Sequence, residues 1–167
     1  MNRIEARAWE LLTQSGITAP EVNLDKVIKK MGVIHVTYDM GNDLSGTLLE
    51  NGKSSAIIAV NSNHAVTRRR FSTAHEIGHL ALHSKPGKAG LRVHRRLTMA
   101  GSGGDPQERE ANAFAAALLM PQPFLDDDFN GEVAERNRTV GNLARRYRVS
   151  PAAMTFRLMN LGYPIVE

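Results

Sequence analysis

His75 and His79 stand four residues apart, and Glu76 follows the first of them. Four residues of α-helix turn about 400° and rise about 6 Å, so the two imidazoles share one face, one above the other. Two ring nitrogens on one rigid element can then reach a single Zn²⁺. Glu76 is spaced to bring its carboxylate to a water on that ion and to serve as general base instead of ligand. By itself this H-E-x-x-H pattern is a moderate signal, because chance supplies it in roughly 1% of chains of this length and composition. It gains weight only if the stretch is helical and a third ligand follows.

Both conditions are met in the sequence. Between Ala65 and His83 there is no proline, and Phe71, Ala74, Ile77, Gly78, Ala81 and Leu82 recur at helical spacing, with Asn61 or Asn63 as the expected N-cap. Further on, Glu108 and Asn112 stand one helical turn apart. Glu108 can complete a His₂Glu set that leaves the fourth position for water. The Asn112 oxygen can accept from the far nitrogen of a ligating histidine. Glu108 is also the N3 residue of a capping box opened by Asp105. Glu110 is the alternative ligand, although Ala113 and Phe114 one turn on offer no polar partner. His83 lies one turn beyond His79; it either lines the cleft or ends the helix, where an imidazolium suits the macrodipole. Tyr38, His83 and an arginine of the 92–96 run are the candidates for stabilising an oxyanion. His35, His64 and His94 have no spacing that recruits them. Asp126-Asp127-Asp128 reads as a solvated turn, since three consecutive side chains point in different directions.

The surrounding pattern predicts an α+β fold. Helices are expected over 3–15 and 23–31, ended by Gly16 and Gly32. Val33–Tyr38, Thr47–Leu49 and Ala56–Val60 read as strands, the last two joined by the turn dipeptide Asn51-Gly52. A three-stranded sheet should therefore pack against the H-E-x-x-H helix. Residues 84–105, rich in glycine, read as a long mobile loop with a short strand around Arg92–Met99. A second, ligand-bearing helix should run from Asp105-Pro106 to Met120, stopped by Pro121 and Pro123. A helical pair over about 139–147 and 151–161 closes the chain. The expected division is a metallopeptidase unit over 1–130 and a helix-turn-helix-like segment over 131–167 packed on it.

Composition narrows the field. The 167 residues contain no cysteine, which removes disulfides, thiolate chemistry and Cys-ligated zinc. No run approaches the length of a membrane span, and the N-terminus resembles an amphipathic helix and not a signal peptide, so the cytoplasm is the expected compartment. The formal net charge is +4, with arginines grouped at 68–70, 92–96 and 136–148. Solvated helix faces explain such groups more simply than a nucleic-acid site does.

The stretch Arg70-Phe71-Ser72-Thr73-Ala74-His75-Glu76-Ile77-Gly78-His79-Leu80, with Glu108, Ala111-Asn112, Phe114-Ala115 and Leu118-Leu119-Met120-Pro121, resembles the ImmA/IrrE family of metallopeptidases. The C-terminal Leu143-Ala144, Tyr147, Val149-Ser150, Ala153-Met154, Arg157-Leu158 and Leu161-Gly162 extend the likeness. Peptidases of this broad type commonly carry Asp where this chain has Asn112. The resemblance implies a gluzincin-like bacterial or phage enzyme with one Zn²⁺ per chain, held by His75, His79 and Glu108, with Glu76 as base. It also implies a helix-turn-helix repressor as substrate, cut to release a stress, phage or mobile-element programme. The substrate is expected along the sheet edge near Thr47–Val60. Two rivals share the scaffold: a DNA-binding regulator using residues 139–161, and a repressor-binding protein that does not cut. Specific DNA binding by this chain alone is not expected, because Arg148 stands where a helix-turn-helix favours glycine.

Overall fold

A computed structural model describes residues 2–51, 55–85, 87, 89–95, 104–130 and 138–166. It is an α+β fold in which a mixed sheet packs on the helix bearing His75 and His79. Two helices open the chain, α1 (Arg3–Gln14) and α2 (Leu24–Met31). Asn2 and Asn23 cap their first turns, and Gly32 ends α2 in the left-handed conformation. Strands β1 (Ile34–Tyr38), β2 (Leu44–Asn51) and β3 (Ala56–Asn61) lead to α3 (Val66–His83). Strand β4 (Ala89–Arg95) separates α3 from α4 (Pro106–Leu119), and α5 (Gln122–Asn130), α6 (Val140–Tyr147) and α7 (Pro151–Leu161) follow.

Among the described residues the sheet has four strands, not three, in the order β1-β3-β2-β4. β1 runs parallel to β3, and the other two pairings are antiparallel. β4 occupies part of the stretch expected to be loop, and it begins at Ala89, before the expected Arg92–Met99; residues 96–103 lie outside the described residues. β2 and β3 pair antiparallel with Glu50 opposite Ala56, so Asn51 ends β2 and does not centre a two-residue turn; Gly52 lies outside the described residues. The order also corrects the expected docking edge. Among the described residues β2 and β3 are the two central strands, and the edges are β1 and β4. Side chains alternate across a strand. Leu48 and Ile58 are buried with α3, while Ile34, Leu49 and Leu91 are exposed on the opposite face.

Helix α3 lies between the sheet and α4, and α4 also packs against α1. Phe71, Ala74 and Ile77 of α3 join Leu48, Ile58, Phe114 and Leu118 in the core. The expected N-cap of α3 is corrected. Ala65 precedes the helix without a side-chain cap. Asn61 is buried and instead holds the turn before β2, donating to the carbonyls of Gly41 and Leu44 at 2.6 and 2.7 Å.

The acidic run is corrected too. Asp126-Asp127-Asp128 belongs to α5, and Asp128 is buried. It accepts from the Tyr147 hydroxyl at 2.7 Å and pairs with Arg146 at 3.1 Å. Burial, then this hydrogen bond, pushes the Tyr147 phenol far above its usual value. The same region ties α6 and α7 to the rest of the fold. Arg157 donates to Glu5 of α1 and to the carbonyl of Met120. Arg148 caps α6 at φ 51°, ψ 51°, a left-handed conformation usually given to glycine.

Candidate metal centre

The donors meet where α3 crosses α4. His75 and His79 are buried one turn apart on α3, with their Nε2 atoms 3.0 Å from each other. Glu108, in the first turn of α4, brings one carboxylate oxygen to each ring. Oε2 lies 3.2 Å from His75 Nε2, and Oε1 lies 3.0 Å from His79 Nε2. Asp105 caps α4 through the Gln107 amide, which leaves Glu108 to the histidines. These three residues form the metal-competent cluster found among the described residues.

The donor set fits zinc. A tetrahedral ion with bonds of about 2.0–2.1 Å sets its ligand atoms roughly 3.3 Å apart. The two Nε2 atoms lie 3.0 Å apart, and Glu108 sets one carboxylate oxygen 3.2 Å from the first ring and the other 3.0 Å from the second. The chemistry fits as well, since two imidazole nitrogens and a carboxylate converge with lone pairs in a region almost closed to water. His75 is oriented from behind, with its Nδ1 2.8 Å from Asn112 Oδ1. An amide oxygen only accepts, so the His75 hydrogen sits on Nδ1 and Nε2 keeps its lone pair.

Two glycines permit this approach. A Cβ on Gly78 would lie 3.1 Å from the carbonyl oxygen of Ala111 and 3.2 Å from Phe114 Cβ. Gly78 therefore sets the α3–α4 spacing that brings Glu108 to the histidine pair. A Cβ on Gly46 of β2 would lie 3.1 Å from Glu76 Oε1. The buried Glu76 carboxylate thus rests against the bare backbone of β2, next to edge strand β4.

The remaining sequence candidates separate. His83 is not a solvated helix end. Its Nδ1 lies 3.1 Å from His79 Nδ1, and its Nε2 lies 2.9 Å from Glu110 Oε2. Glu110 faces His83 and Arg3. The hydrogen bond from His83, with the Arg3 charge adding to it and desolvation opposing, holds the Glu110 carboxyl below the usual range. Tyr38 is not brought to the metal centre: it is 55% exposed on edge strand β1. Its neighbours, part-buried His35 and exposed Thr37, line a cavity of about 530 Å³ shared with Arg69 and Thr73. Those two residues lie on a different face of α3 from the histidine pair. His94 pairs in register with Gly46, while the side chains of the 92–96 run lie outside the description. Sequence reasoning missed the partnership of His83 with His79 and the two glycine contacts. The signal for the first was His83 one further turn along the same helix face.

A helix carrying H-E-x-x-H, a glutamate ligand from the next helix and a mixed sheet beneath them define a zincin-type zinc metallopeptidase with one zinc site per chain. The family model described as the IrrE N-terminal-like domain, of the M78 peptidases, matches residues 29–159, and the chain belongs to that family. No curated protein matches the chain.

Proposed function

We propose that this protein is a cytoplasmic endopeptidase whose substrate is a helix-turn-helix repressor, cut to relieve repression of a stress, phage or mobile-element programme. The observation that carries the enzymatic part is the convergence of His75, His79 and Glu108 with Glu76 buried on the same helix. His75, His79 and Glu108 would hold the zinc, which when bound would supply Lewis acidity toward water and a peptide carbonyl. Asn112 keeps His75 in the ligating tautomer. Glu76 accepts the proton of the attacking water on its carboxylate and returns it to the leaving nitrogen. The missing side chain of Gly46 leaves the space that the Glu76 carboxylate occupies beside β2.

The substrate part rests on family membership and on the sheet order. β4 pairs with β2 on one side and has no strand partner on the other among the described residues. An extended peptide added to that edge would run beside β4, one strand removed from the β2 backbone against which Glu76 lies. The division into a peptidase unit (1–130) and a helix-turn-helix-like segment (131–167) belongs to the same reading. Among the described residues no helix is long and apolar enough to cross a membrane.

The decisive experiment incubates wild-type and Glu76→Gln proteins, both zinc-loaded, with a purified helix-turn-helix repressor encoded beside the gene and with an unfolded carrier protein. Wild type should cut the repressor, and Glu76→Gln should be slower by about 10²–10⁴-fold with zinc retained. Equal cleavage by both would overturn the mechanism. Cleavage of the carrier with the repressor left intact would overturn the substrate.

A further inference from the structure

We propose that His83 and Glu110 are positioning residues for the metal site, fixing the tautomer in which His79 offers Nε2 to the ion. The inference rests on the zinc-site reading above. A chain of polar contacts leads outward from the site. His79 Nδ1 meets His83 Nδ1 at 3.1 Å, His83 Nε2 meets Glu110 at 2.9 Å, and Arg3 donates to Glu110 at 3.1 Å.

Only one arrangement of hydrogens satisfies this chain with neutral rings. A carboxylate is an acceptor, so His83 Nε2 carries the hydrogen. His83 Nδ1 is then bare and must receive one. His79 Nδ1 therefore donates, which leaves the lone pair of His79 on Nε2, the atom that faces His75 and Glu108. Asn112 performs the same service for His75 from α4. The two ligands are thus oriented differently, one by an amide and the other by an imidazole backed by a carboxylate. The negative charge of Glu110, reaching His79 through His83, raises ligand basicity at one histidine, as the neutral Asn112 cannot at the other.

A helix-capping role does not account for His83. Its side chain is 6% exposed, and both ring nitrogens are engaged by side chains. Arg3 is a lesser member. Its side chain is 74% exposed, and a screened surface pair contributes little.

The test measures zinc affinity of the full chain by competition with a chromophoric chelator, together with the absorption spectrum of the cobalt-substituted protein. His83→Phe should lower affinity about 10–100-fold and shift the cobalt spectrum. His83→Asn, which restores an acceptor near the Nδ1 position, should recover most of the affinity. Glu110→Gln should lose part of it, and Arg3→Ala should stay within about twofold of wild type. Wild-type affinity in both His83→Phe and Glu110→Gln would overturn the inference. So would equal weakness of His83→Asn and His83→Phe, since ring packing and not the acceptor would then matter. Those outcomes leave the zinc site intact, whereas a wild-type chain that takes up no zinc would overturn the site itself.

Discussion

Glu108 and Glu110 differ by two positions on α4 and meet different histidines. Two residues turn a helix by about 200°, so their carboxylates leave α4 in nearly opposite directions. Glu108 reaches the Nε2 atoms of His75 and His79, and Glu110 reaches His83 and Arg3. Loss of the two carboxylates should therefore have unequal effects. Glu108→Ala should lose its zinc after desalting, while Glu110→Ala loaded with excess metal should still carry one ion per chain. Metal analysis of both proteins checks this, and the reverse pattern would exchange their roles. The histidine pair with Glu76, and Glu108 with Asn112, could be marked in the sequence because within each helix the spacing is one residue or one helical turn. The partnership of His83 with Glu110 was less visible, since 27 residues separate them and it depends on how two helices cross. Gly46 was hidden for a similar reason. Its importance lies in the oxygen of Glu76 lying 3.1 Å from where a Cβ would be, and no local pattern encodes a close approach.

At the scale of elements, the metal site is a property of one helix pair. α3 supplies two ligands and α4 the third, so their separation sets the geometry. Gly78 governs that separation. Gly78→Ala would press a methyl against Ala111 and Phe114, which overpacks the contact at a cost of about 1–3 kcal/mol. Urea unfolding should show that loss, and zinc affinity should fall with it because Glu108 moves with α4. Unchanged affinity in a destabilised Gly78→Ala protein would mean that the helices yield without moving the ligand. The long helices were legible because each buries one face for three or more turns. β4 was obscured because it lies in a glycine-rich stretch that reads as loop, and its Leu91 is exposed. α5 was obscured by Pro121 and Pro123, which read as a stop although proline fits the first turn of a new helix. The burial of Asp128 follows from Tyr147, a residue from α6, and nothing near the acidic run announces it.

Across the whole molecule, the sheet and the C-terminal helices carry charge and apolar surface to places that bear on stability and partners. His35 faces inward from β1, 3.2 Å from the Thr73 hydroxyl. Burial lowers its pKa below 6.5, with the charge of Asp25 opposing. As pH falls through 6.5 the unfolded chain takes up this proton first, so the folded state loses stability from there down to the folded pKa. Thermal unfolding of the wild type should therefore fall more steeply between pH 7 and pH 5.5 than that of His35→Gln. Parallel curves would show that His35 does not contribute. The last expectation concerns nucleic acid. Sequence showed arginines around a helix-turn-helix-like pair, and the fold decides how they are used. Arg157 is buried against Glu5 and Met120, while Arg146 and Arg148 pair with Asp128 and Glu21. α7, the second helix of the pair, instead exposes Phe156 and Met159. A recognition helix needs donors and acceptors that reach base edges, and this surface is poor in them. Any affinity for DNA should come from phosphate contacts by the exposed arginines. It should be weak, indifferent to sequence and steeply reduced by salt. A gel-shift titration at roughly physiological salt tests this. Submicromolar binding to one site, resistant to competitor DNA, would favour the DNA-binding regulator over the peptidase acting on a repressor.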